Sequence, residues 1–328
     1  MGKKIITYQS RSVGWGVVLF LMAIFSIGVH AQITVTLGPE EIVYDWSEDK
    51  CEKEDIPDST ARAFIDADGK TQLIATHFIN RRFIGTNLDS LEHECGIIMP
   101  SSGEANPENF NDKEWIASTY TLDGQTIYAL IHNEFQAHAH PGVCDFNDYF
   151  KCWYNAITFA QSTDAGKTYT QTSPPTLVAS VPYAYDRAAG KPYGLFGPSN
   201  IIKKDNYYYS FLHTETYGAQ AIGACLMRTL TPNNPSSWEF WGGNGFTHTP
   251  VNPYTDSIGN PSSHTCVPIL PNVIGKMSES VTYNTYLKKY ILVGTHQVWD
   301  SLASKTISGF FFSLSNDLIQ WSAPQLLM

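Results

Sequence analysis

Two glutamates follow histidines at matching points of the chain, in His132-Asn133-Glu134 and His213-Thr214-Glu215. Because side chains alternate along a strand, a histidine and a glutamate two residues apart point to the same side. A third carboxyl group, Glu279, precedes a strand-like run near residue 280. Acid–base cleavage needs one carboxyl group that donates a proton and a second that acts as base or nucleophile. Glu134, Glu215 and Glu279 are therefore the candidate catalytic residues.

Four histidines, His77, His132, His213 and His296, each end a short apolar run that leaves a polar turn. If these runs are equivalent units of a radial fold, their histidines lie at the same height on one face and ring its axis. We predict that the four histidines bind the substrate there. An alternative is that each one only caps its strand through a satisfied hydrogen bond.

Short runs rich in Tyr, Phe, Ile and Val recur between polar turns, and helical periodicity is nearly absent. Around each histidine strand the same order is found: a preceding strand, the turn, the histidine strand, a long loop and a third strand. Such repeats predict an all-β fold, a β-propeller with four-stranded antiparallel blades. A β-sandwich is the alternative, but it would not place a histidine at the same point of each hairpin.

Three short segments carry a resemblance to known propellers. The segment Ser162-Thr-Asp164-Ala-Gly166-Lys-Thr168-Tyr169 resembles the Asp-box of sialidase-like propellers. The segments that begin at Gly197-Pro198-Ser199-Asn200 and at Ser315-Asn-Asp317 resemble blade segments of five-bladed glycoside hydrolases such as family 43. The resemblance implies five blades, with a carbohydrate site at the axial end where the histidines gather.

Only four blades are legible in the sequence. Either a fifth blade is hidden in the long inserts around residues 96–115 and 242–276, or the chain is a truncated propeller. Truncation is the favoured expectation, because both inserts have the composition of loops.

The resemblance implies a glycoside hydrolase that acts on a poly- or oligosaccharide. Glu134 or Glu215 is then the proton donor, and another of the three glutamates is the base or nucleophile. Phe196 stands where family 43 has its catalytic acid, so that family's mechanism cannot be carried over intact.

Arg62 starts the first inner strand, where sialidase-like folds place an arginine that grips the substrate carboxylate. Its bidentate fork suits that role, and a salt bridge to Asp58 or Asp66 is the alternative. Asn200 and Tyr217 complete the predicted substrate-binding set. Aromatic rings stack on sugar faces or pack between blades, and both interpretations apply to a group expected near the rim: Tyr183, Tyr185, Tyr193, Phe196, Tyr217 and Trp299.

His132, His138 and His140 lie close to Glu134 in sequence and form a candidate site for a divalent cation. Hydrolysis by paired carboxylates requires no cofactor. With a bound metal, the alternative function is a polysaccharide lyase acting on uronate-containing glycans. A glycan-binding propeller without catalysis is a further alternative.

The first residues carry the pattern of a secretory signal. Lys3, Lys4 and Arg11 precede an uncharged run at 13–29 that closes on Val-His-Ala. We predict a signal peptide at 1–31, a single domain at 32–328 and a secreted or periplasmic location. An uncleaved membrane anchor is the alternative.

Loss of that segment leaves 18 basic residues, since three of the 21 are removed, against 31 acidic ones, a net charge of −13. Such a surface repels phosphate backbones and anionic lipids, so nucleic acid and membranes are excluded as partners, and a carbohydrate substrate and a monomer are expected. Six cysteines in an exported chain favour disulfides. The pairing with the shortest loops is Cys51–Cys95, Cys144–Cys152 and Cys225–Cys266; zinc is the rival interpretation, but no Cys-x-x-Cys pair supports it.

Overall fold

Short strands and tight polar turns alternate along the chain, as the turn residues predict. The computed structural model describes residue 33, residues 35–75 and residues 77–328, of which Pro39–Met328 form one compact unit. The predicted signal peptide at 1–31 lies outside the described residues. No helix among the described residues combines the length and the apolar character needed to cross a membrane.

The first two sheets are antiparallel meanders of four strands each. The first contains β1 (Arg62–Ile65), β2 (Thr71–Ile74), β3 (Asn80–Gly85) and β4 (Glu92–Met99). The second contains β5 (Lys113–Thr121), β6 (Ile127–Gln136), β7 (Trp153–Ser162) and β8 (Leu177–Ala179). One short helix, α1 (Trp46–Asp49), precedes them.

The third and fourth sheets repeat this order. The third contains β9 (Tyr193–Phe196), β10 (Ile202–Lys204), β11 (Tyr207–Thr214), β12 (Gly223–Thr229), β13 (Glu239–Trp241) and β14 (Phe246–His248). Its β9 also pairs in parallel with β7, which joins the second and third sheets. The fourth contains β15 (Ser280–Asn284), β16 (Lys289–Asp300), β17 (Lys305–Ser315) and β18 (Gln325–Leu326).

Single-turn 3-10 helices connect the strands, at Leu88–Ser90, Pro107–Asn109, Ala137–Ala139, Tyr149–Cys152, Pro235–Ser237 and Pro261–His264. Five of them are opened by an asparagine or aspartate whose side chain accepts from a backbone N–H two residues on, at Asn87, Asn106, Asp148, Asn234 and Asn260. This is the local hydrogen bond that makes these residues good turn and cap residues.

The prediction of an all-β propeller is confirmed, with four-stranded antiparallel sheets at its first and last positions; between them, the second sheet and the six-stranded third sheet are joined into one by the parallel β7–β9 pair. His132, His213 and His296 lie on β6, β11 and β16, the second long strand of each hairpin, and His77 follows the end of β2 by three residues. The two inserts supply no further four-stranded sheet among the described residues, because 242–276 adds only the edge strand β14 and a 3-10 turn.

Apolar side chains of successive sheets pack against each other in three clusters. One joins the first and second sheets through residues such as Ile74 and Ile131. The largest joins the second and third, and the last joins the third and fourth, where Phe211 meets Leu292. Each sheet therefore buries its alternating apolar face against the next one, which is the packing of propeller blades.

Asparagine amides cross the junctions between sheets. Asn80 on β3 donates to the carbonyl of Glu114 at 2.8 Å, and its own amide oxygen accepts from the N–H of Ile116 at 2.8 Å. Asn155 on β7 donates to the carbonyl of Tyr193 at 3.1 Å. An amide side chain offers the same donor and acceptor as a peptide group, so it satisfies strand ends where ladder pairing stops.

Arg62 connects the inner ends of all four sheets. Its Nε donates to the carbonyl of Ala117 at 2.6 Å, and its Nη2 donates to the carbonyls of Pro198 at 3.0 Å and Glu279 at 2.8 Å. A further bond runs from Nη1 to its neighbour Ala61. Arg62 is 4% exposed, and burial lowers its pKa to about 10, so it keeps its charge at neutral pH.

The predicted disulfide pairing is the one present in the structure: Cys51–Cys95, Cys144–Cys152 and Cys225–Cys266. The turn after β7 also has the expected local geometry. Asp164 accepts from the N–H and hydroxyl of Thr168 at 3.0 and 2.7 Å, and Tyr169 packs between the first and second sheets. The more specific likeness to sialidases stays a prediction.

We expect the Arg62→Met variant to lose about 3–5 kcal/mol of unfolding free energy, because three carbonyls from different sheets lose their donor inside the protein. Urea denaturation followed by tryptophan fluorescence measures this. Arg187→Met is the matched control: Arg187 is exposed and pairs with Asp145 at the surface, so its loss costs less than about 1 kcal/mol. Equal losses in the two variants would show that Arg62 does not join the sheets.

Candidate active site

A cavity of about 470 Å³ opens where the inner ends of the four sheets converge. Asp58 precedes β1 and lines it from the first sheet, and His132 and His213 line it from the second and third. Glu279, just before β15, lines it from the fourth sheet, together with the exposed ring of Phe310. Every sheet thus contributes to one concave site, as expected for a ligand site at the axis of a radial fold.

The histidines predicted to ring the axis gather around this cavity. His77 approaches Asp58, with 3.5 Å between Nε2 and the carboxylate. His132 and His213 line the cavity itself. His296 lines an adjoining cavity that shares Thr295 with the first.

Aromatic rings separate the histidines and fix their orientation. The ring of Trp115 lies 5.9 Å from that of His77 and 5.8 Å from that of His132. Phe196 follows, 6.1 Å from His132 and stacked on His213 at 4.8 Å. Phe196, which occupies the place of a catalytic acid in family 43, therefore supports a histidine in this chain.

Burial keeps two of these histidines neutral. It lowers the pKa of His132 to about 4, against a small opposing effect of its hydrogen bond with Asn155, and that of His213 to about 3. A neutral imidazole offers one donor and one acceptor. His132 and His213 can therefore each donate a hydrogen bond to one hydroxyl group and accept one from another. This suits sugars better than anions.

Glu134 lies beside His132, with its Oε1 3.8 Å from the imidazole Nε2. Gln136 donates to its Oε2 at 2.8 Å. Burial raises the pKa of Glu134 to about 7, the charges of Asp58 and Asp112 add to the rise, and the bond from Gln136 opposes it. Among the three glutamates chosen from the sequence, Glu134 is the one whose surroundings favour a protonated carboxyl at neutral pH.

Asp58 is the carboxylate that the sequence analysis did not select. Its side chain is 44% exposed and faces His77, and its charge acts on both Glu134 and His132. From the sequence, Asp58 was expected only as a candidate salt-bridge partner of Arg62. Its position immediately before the first inner strand, at the end where the histidines gather, was the available signal.

Glu215 and Glu279 have other partners. Glu215 is paired with Lys276 at 2.7 Å; neither Glu215 nor Glu134 is among the residues that line the central cavity, but Glu134 adjoins the cavity-lining His132. Glu279 does line it, but Thr295 donates to Oε1 through its N–H and its hydroxyl, and Ser278 donates to Oε2. Its charge also offsets the buried charge of Arg62. The geometry therefore gives Glu279 a supporting role.

Three residues predicted to bind substrate have structural roles instead. The donors of Arg62 are directed at backbone carbonyls, so its fork does not face a substrate carboxylate. Asn200 exchanges two hydrogen bonds with the backbone of Val281, at 2.8 and 2.9 Å, across the junction of the third and fourth sheets. Tyr217 donates to Asp186 and stacks on Tyr193 at 4.0 Å.

Most aromatic residues expected at the rim also belong to the packing between sheets. Tyr193 and Phe196 are buried, and Tyr183, Tyr185 and Tyr217 pack against the largest apolar cluster. Of that group, Trp299 remains exposed. The packing interpretation therefore holds for all but one of them.

The candidate metal ligands do not come together. His140 contacts Asp112 at 3.0 Å, His138 lies edge-on against Tyr149, and His132 bonds to Asn155. Within the described part of the chain, the single group of three ligand-type atoms lying within 4.8 Å of one another is Cys51, Asp55 and His93. Cys51 is bonded to Cys95, so it offers no thiolate to a metal.

Comparison with known proteins gives a limited picture. No family model matches the sequence, and no curated protein does. Among solved structures, the chain is similar to an endo-1,4-beta-xylanase from Bacteroides thetaiotaomicron, with 14% identity, 81% of this chain and 74% of that chain covered, and a TM-score of 0.46. An endo-1,5-alpha-L-arabinanase from Thermotoga petrophila gives 10% identity, coverage of 81% and 59%, and a TM-score of 0.41. An exo-1,5-alpha-L-arabinanase from a bovine ruminal metagenomic library gives 12%, 82% and 98%, and 0.33. With such values the conclusions below rest on this chain's own residues.

We expect His213 to destabilise the folded protein increasingly as the pH falls from about 6.5 towards 3, whereas Glu114 and Glu134, whose pKa values are raised to about 7, act in the opposite direction between about pH 7 and 4.5. The unfolded chain takes up protons on its histidines in that range, whereas His213 in the folded chain does so only near its lowered pKa of about 3. Each such histidine lowers the free energy of unfolding by up to about 1.4 kcal/mol for every unit by which the pH falls. Thermal unfolding at a series of pH values measures the slope.

The His213→Gln variant should show a shallower loss, because it removes one of the groups that titrates differently in the two states. His138→Gln is the control, since His138 is exposed. An acid slope that His213→Gln leaves unchanged would contradict the buried, neutral state of His213.

Proposed function

We propose that the protein is an exported glycoside hydrolase in which Glu134 is the proton donor and Asp58 is the second carboxylate. The observation that carries the proposal is the contrast between two carboxyl groups that each adjoin a histidine of this region. Glu134 is 12% exposed, lies 3.8 Å from the cavity-lining His132 and has a pKa raised to about 7, whereas Asp58 is 44% exposed, lies 3.5 Å from His77 and lines the cavity itself. A carboxyl group with a raised pKa near a second, solvated carboxylate is typical of an acid and its base or nucleophile.

The proposed reaction breaks the bond between an anomeric carbon and its glycosidic oxygen. Glu134 donates its proton to that leaving oxygen, and Asp58 acts on the opposite side as base or nucleophile. Water supplies the oxygen that ends on the anomeric carbon, and its protons restore Glu134 and complete the new hydroxyl group. His77 beside Asp58, and His132 beside Glu134, orient the two carboxyl groups and the sugar hydroxyls.

A lyase is the less favoured chemistry. Such an enzyme must neutralise a uronate carboxylate with a metal or an arginine. In this structure the guanidinium of Arg62 is directed at carbonyls, and the candidate ligands His132, His138 and His140 have separate partners. The two neutral histidines add no positive charge to the cavity.

Three disulfides support export into an oxidising compartment. We therefore keep a secreted or periplasmic location and a carbohydrate substrate in the proposal. A glycan-binding protein without catalysis is the alternative class, and turnover separates the two.

We expect the Glu134→Gln variant to lower kcat on a cleaved glycan by about a hundredfold to ten-thousandfold, because the leaving oxygen loses its proton donor. Activity of the unaltered protein should fall as the pH rises through about 7, where Glu134 loses its proton. Reducing-sugar release at a series of pH values measures both effects. Glu215→Gln is the matched control and should keep its activity; the reverse result would identify Glu215 as the donor.

We expect Asp58→Asn to reduce kcat by at least about a hundredfold. It should also shift the alkaline limb of the residual activity to lower pH, because the charge of Asp58 raises the pKa of Glu134. Glu279→Gln provides the comparison: it should lower the unfolding temperature, since Glu279 offsets the charge of Arg62. If the alkaline limb does not move in Asp58→Asn, the two carboxyl groups do not share one site.

A further inference from the structure

The hairpin formed by β16 and β17 extends past its own sheet. The last register pair of β15 is Ser280 with Val293, and that of β18 is Phe311 with Leu326. The hairpin continues through further pairs as far as Asp300 with Lys305. At about 3.3 Å per residue, the seven residues beyond Val293 reach roughly 20 Å outward from the sheet.

One face of this hairpin combines aromatic rings with short polar side chains. Directly opposed residues of an antiparallel pair share a face, and the pairs are Thr295 with Phe310, Gln297 with Ser308 and Trp299 with Thr306. All six are exposed, Trp299 to 62% and Phe310 to 45%. These six residues are called the hairpin face below.

The hairpin face continues the candidate active site. Thr295 and Phe310 line the central cavity together with Asp58 and Glu279. An adjoining cavity of about 670 Å³ shares Thr295 and Phe310 and is lined further out by Gln297 and Ser308. A ligand in the central cavity can therefore extend along the hairpin without crossing a barrier.

A second group of exposed rings lies on the second sheet, near Glu134. The loop closed by the Cys144–Cys152 disulfide presents Tyr149 and Phe150, whose rings lie 4.8 and 5.0 Å from that of Trp153. Phe150 is 56% exposed. The ring of Tyr149 lies 4.5 Å from that of His138, in the turn that follows the β6 strand carrying Glu134. Tyr149, Phe150 and Trp153 are called the loop cluster below.

The fixed positive charges next to these surfaces are compensated. Of the described residues that line the two cavities, Arg62 and Lys276 carry such charges. Arg62 donates to carbonyls, and Lys276 is paired with Glu215 at 2.7 Å. A ligand without charge fits this balance better than a uronate or another acidic sugar.

We propose that the hairpin face and the loop cluster are subsites for the interior of a neutral polysaccharide chain, the first beside the cavity that Asp58 lines and the second beside the strand that carries Glu134. The proposal rests on the glycosidase function above and specifies its substrate as a polymer that is cut internally. Aromatic rings cover the apolar faces of sugar rings, and Gln297, Ser308 and Thr306 hydrogen-bond their hydroxyls. A membrane or protein partner would call for a continuous apolar patch, whereas this face alternates polar and aromatic residues.

The test uses Glu134→Gln as a non-cleaving background. Its binding to soluble arabinan, xylan and galactan is measured by affinity gel electrophoresis, and the oligosaccharides of the retained polymer, from disaccharide to hexasaccharide, are titrated calorimetrically. Affinity should rise with chain length. Added Trp299→Ala and Phe150→Ala substitutions should each weaken polymer binding about tenfold, equal to about 1.4 kcal/mol, and the loss should grow with chain length.

Val298→Ala and Leu302→Ala are the matched controls. Val298 is the neighbour of Trp299 on the opposite face of the hairpin, and Leu302 is 99% exposed at its tip. Both should bind the polymer within about twofold of the background, a change of about 0.4 kcal/mol. In the active protein, viscosity should fall early in the reaction, with a mixture of oligosaccharides as products.

The outcomes separate this proposal from the proposed function. The subsite proposal is overturned if short glycosides are turned over but affinity does not depend on chain length. It is also overturned if Val298→Ala and Trp299→Ala lose polymer affinity equally. In both cases the glycosidase proposal stands. Polymer binding that depends on Trp299 and Phe150 without any turnover supports the subsites and overturns the glycosidase. Absence of binding to every polymer overturns both, and Trp299-dependent binding to phosphatidylcholine vesicles assigns the hairpin face to a lipid surface instead.

Discussion

The buried guanidinium of Arg62 determines how the four sheets meet. A charge inside a protein costs several kcal/mol unless it is compensated. Here the compensation comes from carbonyl oxygens of β5, of the loop after β9 and of the residue before β15, and from the nearby charge of Glu279. Those carbonyls belong to the segments that carry the lining of the cavity. The position of Arg62 therefore sets the distances between cavity-lining side chains that come from different sheets and are not held together by contacts of their own.

Desolvation is the second physical effect that shapes the site. The same burial that keeps His132 and His213 neutral keeps Glu134 protonated up to about pH 7. Both effects remove charge from the interior beside the cavity, since an uncharged imidazole and an uncharged carboxyl group cost less to bury than their ions. Asp58, in contrast, lies at the exposed edge, where its carboxylate faces His77.

Much of the fold could be predicted from the sequence, because strand alternation and turn residues are local signals. The histidine strands and the disulfide pairing followed from local spacing and from recurrence. The roles of Arg62 and Asn200 could not be predicted, since each depends on backbone atoms far away along the chain: Glu279 is 217 positions from Arg62, and Val281 is 81 from Asn200. Asp58 was not selected for a related reason, because its approach to His77 and its place at the central cavity depend on the fold and not on sequence spacing.

The separation of Arg62 from its last acceptor has a consequence for how the protein is made. Residue 62 leaves the ribosome early, yet the bond to the carbonyl of Glu279 cannot form until 217 further residues have been added. Contacts this distant in sequence require closure of a long loop and form late in folding. Until then the guanidinium is solvated, and the inner ends of the sheets are free to separate. The cleft between them is therefore one of the last parts of the molecule to be assembled.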